Sequence, residues 1–302
     1  MQIYTIDTGF FKLDGGAMFG VVPKSIWKNL NPADENNMCT WAMRCLLIED
    51  GKQLTLVDTG LGNKQDDKFF SHYYLHGEAT LLKSIEKAGF SADEITDVVL
   101  THLHFDHVGG AVSCNADKTR FFPTFKNAIY HTNQQHWDWA MHPNPREKAS
   151  FLQENLLPLQ ESGQLKSPPL ALPEGGGVGL VSLENSSTLS FFIPPPSGGV
   201  RGGLLVNGHT EAMMLPIIKF GDKTLLYCAD LIPSAGHIPV PYVMAYDMRP
   251  LVAMEEKNRI LQQACEEGWI LMFEHDPIIE CATLQQTEKG IRIQHKGRLA
   301  DF

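Results

Sequence analysis

The chain lacks any stretch of 18 uninterrupted apolar residues, so no part of it is expected to cross a membrane as a helix. Its amino terminus, Met-Gln-Ile-Tyr-Thr-Ile-Asp-Thr, has no basic start, apolar block or small-residue cleavage site, and a cytoplasmic location is expected. Basic residues are in the minority: 25 Lys and Arg stand against 35 Asp and Glu, a net charge of −10. A general phosphate-backbone binder needs a basic surface, so nucleic acid is not an expected partner. No Cys-x-x-Cys pair occurs. The six cysteines (Cys39, Cys45, Cys114, Cys228, Cys265, Cys281) are scattered, as expected of reduced, mostly buried thiols in a cytosolic protein.

What is present suits a globular chain: 43% apolar and 20% charged residues over 302 positions, enough to bury a full core without staples. One large layered domain, 1–302, is expected. Two segments echo each other. Cys45 to Ile48 is apolar, Asp50-Gly51 signals a turn, and Leu54 to Val57 returns as a strand ending on Asp58. Downstream, Met213 to Phe220 is apolar, Gly221-Asp222 signals a turn, and Thr224 to Ala229 returns as a strand ending on Asp230. Two hairpins that each deliver an aspartate suggest a fold of two similar halves.

Helical spacing of Leu81, Leu82, Ile85 and Ala88 leads to a stop at Gly89, and Ser91 with Glu94 has capping-box spacing. Leu251, Met254, Leu261, Ala264 and Cys265 mark a second amphipathic helix closed by Gly268, followed by the apolar strand Trp269 to Phe273. Strands apolar on both faces and alternating with helices point to sheets covered by helices. The Pro- and Gly-rich stretch 162–203 reads as an irregular insertion or lid.

The chemistry concentrates in Thr101-His102-Leu103-His104-Phe105-Asp106-His107-Val108-Gly109-Gly110. A strand ending here sends His102 and His104 to one side, because side chains alternate with period two. Asp106 and His107, past the turn, reach a second point nearby. Imidazole and carboxylate suit Zn²⁺ and are also acceptable to Mn²⁺ or Fe²⁺. Four ligands cannot complete two metal shells, so others must come from remote strand ends. His209 follows Gly208, Asp230 closes Tyr227-Cys228-Ala229-Asp230, and His275 follows the strand at Trp269 to Phe273. Together these are seven donors, enough for two ions sharing one bridging carboxylate.

At these residues the sequence resembles the metallo-β-lactamase-fold hydrolases. The resemblance runs through Val57-Asp58-Thr59-Gly60, the His102 to His107 run, Gly208-His209-Thr210, Ala229-Asp230 and Glu274-His275. It implies an α/β fold, a four-layer αββα sandwich. It further implies that His102, His104 and His209 hold a first metal, that Asp106, His107 and His275 hold a second, and that Asp230 bridges them. Asp58 would steady the ligand loop by hydrogen bonds. Asp at position 230, where the commonest true β-lactamases carry cysteine, sets the chain apart from them, and Cys228 nearby is expected to be a buried thiol. The likeness is strongest to N-acyl homoserine lactonases and methyl parathion hydrolase-like enzymes. Those lactonases carry a tyrosine shortly after the bridging aspartate, whereas this chain continues Leu231-Ile232-Pro233, leaving Tyr242 or Tyr246 as candidates to replace it.

The resulting expectation is a dinuclear metal-dependent hydrolase, with Asp106 passing a proton to the leaving group. Its substrate would be a small uncharged or weakly charged ester, lactone or phosphotriester. A thioester or phosphodiester hydrolase of the same fold, or a noncatalytic metal-binding or sensing member, is the alternative. A small molecule is the expected partner, with neither nucleic acid nor membrane, and a homodimer is one option for the assembly. Met18, Phe19, Trp27, Trp137 and Trp139 are candidates for an apolar pocket mouth and equally for ordinary packing. His131, His136 and His142 lack ligand spacing and are expected at the surface or the pocket rim.

Overall fold

A computed structural model describes residues 1–51, 53–167, 189–191 and 200–302. Most of the expected insertion at 162–203 lies outside the described residues. Two sheets form the framework. The first has six strands in the order Gln2–Asp14, Met38–Asp50, Gln53–Val57, Asp97–Val99, Ile129–His131, Leu165–Lys166. The second has seven in the order Gly290–Gly297, Cys281–Thr287, Ile270–Met272, Lys223–Tyr227, Met213–Phe220, Val200–Val206, Leu189–Phe191. Both expected hairpins form, with Leu47 opposite Leu56 in the first and Ile218 opposite Leu225 in the second. Each hairpin's return strand then pairs in parallel with the next strand of its sheet, Leu56 with Val98 and Leu226 with Leu271. The two halves thus share a local plan, as the sequence echo suggests.

The period-two rule explains the layering. Along Met38–Asp50, Leu46 and Ile48 belong to the core that holds the second sheet, while Cys45 and Leu47 belong to the core beneath the helices on the other face. Helix Leu81–Lys87 and helix Gln153–Glu161 cover that outer face through Leu81, Ile85, Leu156 and Leu159. Helix Pro250–Glu267 covers the second sheet through Ala253, Ile260, Leu261 and Ala264. Helix, sheet, sheet, helix is the expected αββα order.

The long helix obeys its end signals. Pro250 occupies the first turn, where its missing N–H costs nothing, and Gly268 closes the helix at φ 67°, a backbone region that other residues enter only with strain. The Ser91–Glu94 capping box forms as its spacing predicts, though on a single 3₁₀ turn, Ala92–Glu94.

Candidate metal centre

The proposed donors lie on the segments that follow strands, along one edge of the double layer. Strand Asp97–Val99 leads to His102, strand Lys223–Tyr227 to Asp230, and strand Ile270–Met272 to His275. The backbone ties these loops together. Met214 N–H donates to the Thr101 carbonyl at 2.9 Å, and Ala42 and Arg44 N–H donate to the carbonyls of His275 and Glu274 at 3.1 and 3.0 Å. Two residues at the strand ends hold positive φ without being glycine, Asp58 at 57° and Ala229 at 42°. Such strain persists only where packing enforces it, and here it aims the carboxylates of Asp58 and Asp230 inward.

The seven donors converge as two groups. His102 Nε2 lies 3.1 Å from His104 Nδ1, which lies 3.2 Å from His209 Nε2. In the second group His107 Nε2 and His275 Nε2 are 3.3 Å apart, and each is 3.8 Å from Asp106 Oδ2. Asp230 stands between. Its Oδ2 is 3.1 Å from His209 Nε2, while its Oδ1 is 3.0 Å from His275 Nε2. His102 and His104 do meet, but on an irregular loop and not on the pleat of a strand, since that strand ends at Val99. Asp106 and His107 ride on the short helix Phe105–Val108.

These residues fit divalent ions. Ligands about 2.0 Å from a shared tetrahedral centre stand roughly 3.3 Å from one another, which is the nitrogen spacing found here. Asp230 Oδ1 is buried with no hydrogen-bond donor of its own. Each imidazole turns its other nitrogen outward to an oxygen partner, as metal-binding histidines do. For His104 that partner is Glu147 Oε1 at 3.0 Å, for His209 Asp247 Oδ1 at 2.9 Å, and for His275 the Ala42 carbonyl at 2.8 Å. His107 Nδ1 is flanked by Asp58 Oδ2 at 3.2 Å and Glu274 Oε2 at 3.1 Å.

The electrostatics point the same way. Burial disfavours the imidazolium form and lowers the pKa of His102 and His104. At His209 burial is outweighed by the Asp230 and Asp247 carboxylates, which raise it to about 10, and at His275 chiefly by Asp230, to about 9. Asp230, although buried, is held well below the usual carboxylate range by His107, His275 and His209. One carboxylate at the focus of several cationic imidazoles is an arrangement that metal binding can take over by displacing the ligand protons.

Asp58 has the expected role: its oxygens accept from Thr101 N–H at 2.7 Å and Thr101 Oγ1–H at 2.6 Å, pinning the residue before His102. Cys228 is buried, its Sγ 3.7 Å from the Leu226 carbonyl, and burial pushes its thiol pKa far up. Besides Asp247, three residues have supporting roles that the sequence reading did not assign. Glu147 is buried and, besides His104, accepts from Trp139 Nε1–H at 2.7 Å, Asn144 Nδ2–H at 3.1 Å and the Thr210 hydroxyl. Despite burial, its bonds to His104, Thr210 and Trp139 bring it down to about 2.

His136 lies neither at the surface nor on a rim. It is fully buried, its Nε2 accepts from Leu103 N–H at 2.9 Å, and its Nδ1 contacts the Glu211 carbonyl. It therefore clamps the His102–His104 loop to the loop after His209. His136→Ala should cost about 3 kcal/mol, through the cavity and the stranded Leu103 N–H. Urea denaturation checks this, and an unshifted midpoint would contradict the clamp.

Glu256 on the long helix is the third. It is buried and accepts from the N–H groups of Asn207 and Gly208 at 2.8 and 3.0 Å, holding the loop that presents His209. Gly208 presses on that helix so closely that an added Cβ would lie 2.3 Å from the Ala253 Cα. Gly208→Ala should displace His209 and lower turnover about a hundredfold, the order expected for a misplacement of roughly 1 Å. Steady-state kinetics would test this, with retention of full turnover as the contrary result.

A cavity of about 460 Å³ opens onto the centre, lined by His104, Asp106, His209, Asp230 and His275 and walled largely by apolar side chains. Met18 lines it, whereas Phe19 and Trp27 belong to the adjoining core and Trp137 to the core under the first sheet. Of the two candidate tyrosines, Tyr246 lines the cavity and Tyr242 packs against the neighbouring core. Tyr73 lines it as well, its hydroxyl pushed up to about 12 by burial and by Asp106.

The pattern of the metallo-β-lactamase superfamily matches residues 44–113. A probable metallo-hydrolase of Mycobacterium tuberculosis is 27% identical over 260 residues, covering 78% of this chain and 73% of the relative. An N-acyl homoserine lactonase of Bacillus thuringiensis is 27% identical over 119 residues, covering 36% and 43%. Among solved structures, a probable metal-dependent hydrolase from Staphylococcus aureus superposes with TM-score 0.79 at 23% identity, covering 98% of this chain and 95% of that one. A dizinc quorum-quenching lactonase in complex with a product gives 0.71 at 22% identity, with the same coverage. The chain therefore has the metallo-β-lactamase fold and is similar to metal-dependent hydrolases and to lactonases. The enzyme class read from its motifs, a metal-dependent hydrolase, agrees with these relatives. Among the described residues no helix is long and apolar enough to cross a membrane.

Proposed function

We propose that the chain, acting as one domain, is a dinuclear metal-dependent hydrolase of a small ester, lactone or phosphotriester. The observation that carries this reading is Asp230, whose two oxygens face two separate groups of imidazoles. In the proposal His102, His104 and His209 hold one ion, Asp106, His107 and His275 hold the other, and Asp230 bridges. Zn²⁺ is the proposed ion, with Mn²⁺ and Fe²⁺ compatible with the same donors. Two such ions would acidify a shared water near neutral pH and polarise the scissile oxygen.

The chain's own residues do the rest. Water adds to the acyl or phosphoryl centre, the bond to the leaving oxygen breaks, and that oxygen takes up a proton, which Asp106 on the cavity wall is placed to carry. The apolar wall formed by Leu13, Met18, Phe105 and Met244 excludes bulk water and accepts the alkyl part of the substrate. All six cysteines are free thiols, which supports a reducing, cytoplasmic setting. Metal analysis should find two ions per chain, and turnover of a chromogenic lactone and ester panel should vanish with chelator and return with Zn²⁺. One ion per chain, or turnover indifferent to chelator, would contradict the proposal.

A further inference from the structure

The cavity wall carries one charged group that hydrolysis does not need. Among the described residues lining it, Arg146 is the single lysine or arginine, in a chain whose net charge is −10. Arg44, Arg249 and Arg259 each pair with a carboxylate. Arg146 pairs with none among the described residues, and its guanidinium donates only to the Ala245 carbonyl across the cavity mouth. A guanidinium has five N–H donors in a planar fork, so most of this one's capacity is uncommitted.

The residue is also firmly planted. Asn144 Oδ1 accepts from the N–H of Arg146 at 2.9 Å and of Glu147 at 3.1 Å. The next residue, Glu147, is the buried anchor that also holds His104. The chain thus fixes a cation at the mouth of a largely apolar cavity, one residue away from the partner of a proposed metal-binding imidazole. An unpaired arginine so placed, in a molecule whose overall field repels anions, matches the planar oxygens of a carboxylate.

We propose that Arg146 is a specificity residue and that the substrate is an ester or lactone bearing a carboxylate at its non-reacting end, which the guanidinium binds at the cavity mouth. This rests on the hydrolase reading above, and it narrows the uncharged or weakly charged substrate expected from sequence to one that bears a carboxylate.

The test uses metal-replete full-length protein and two p-nitrophenyl ester series: monoesters of straight-chain dicarboxylic acids, and the same compounds with the free acid capped as a methyl ester. The protein should favour the free acid by about tenfold in kcat/KM at the best chain length, the order of one partly exposed charge-assisted hydrogen bond. That preference should shrink as salt rises. In Arg146→Gln the ratio should fall towards one, in Arg146→Glu it should invert, and in Arg146→Lys it should be intermediate. Arg146 is exposed, so these variants should fold. Equal cleavage of both series by the unaltered protein, or a ratio unchanged in Arg146→Gln, would overturn the assignment and leave the hydrolase reading intact. Cleavage of neither series would likewise overturn the assignment, while the hydrolase reading is judged separately by the chelator test on the lactone and ester panel.

Discussion

Asp230→Ala is expected to abolish stable binding of two ions and to lower kcat by about a thousandfold or more, roughly 4 kcal/mol of transition-state stabilisation. The size follows from position. Among the described residues Asp230 is the only carboxylate whose two oxygens reach both groups, Oδ2 towards His209 and Oδ1 towards His275. Without it several imidazoles face one another at 3.1 to 3.3 Å with no anion between them. Asp230→Asn keeps the shape and one acceptor oxygen, so it should retain a single tightly held ion. Metal counting together with kinetics checks both variants, and two ions with undiminished turnover in Asp230→Ala would remove the bridge from the account.

Glu147→Ala should be the most costly change outside the seven donors. Four groups lose their acceptor at once: His104 Nε2, Trp139 Nε1, the Asn144 amide and the Thr210 hydroxyl. Stranding several buried polar groups should destabilise the fold by about 3 kcal/mol or more, since each unmet donor costs on the order of 1 to 3. His104 loses its orientation as well, so metal affinity should drop about ten- to a hundredfold. Calorimetry and competition with a chelator measure the two effects separately. Glu147→Gln, which keeps acceptor capacity, should recover much of the stability but less of the metal affinity. Equal metal affinity in both variants and the unaltered protein would show that Glu147 does not orient His104.

The limits of the sequence reading have physical causes. The seven donors were legible because His102, His104, Asp106 and His107 crowd into six positions, Asp230 and His275 each follow an apolar strand, and His209 follows a glycine just before the second hairpin. Period two and period 3.6 are strong signals, so both hairpins, the long helix and the layer order could be anticipated from residues such as Leu46, Leu47 and Ile260. Glu147, Asp247 and His136 carried no such signal. They are lone polar residues, and Glu147 lies 43 positions from the histidine it holds. Their roles arise from tertiary contact, which local pattern does not encode. His136 is the instructive case: its distance from any ligand spacing suggested solvent, yet burial turned it into a backbone clamp.

Arg146 was equally silent. An arginine in an irregular loop is ordinarily solvated, and only the cavity beside it and the lack of a carboxylate partner among the described residues give it meaning. The need for glycine at 208 was also hidden, because it arises from tertiary contact: it lets the His209 loop press against Ala253.

Element-specific anomalous scattering from crystals of the purified protein tests the central claim most directly. The account requires two peaks on either side of the Asp230 carboxylate, one among His102, His104 and His209 and the other among Asp106, His107 and His275. A single peak, or peaks with His209 or His275 turned away from the His102 loop, would contradict it.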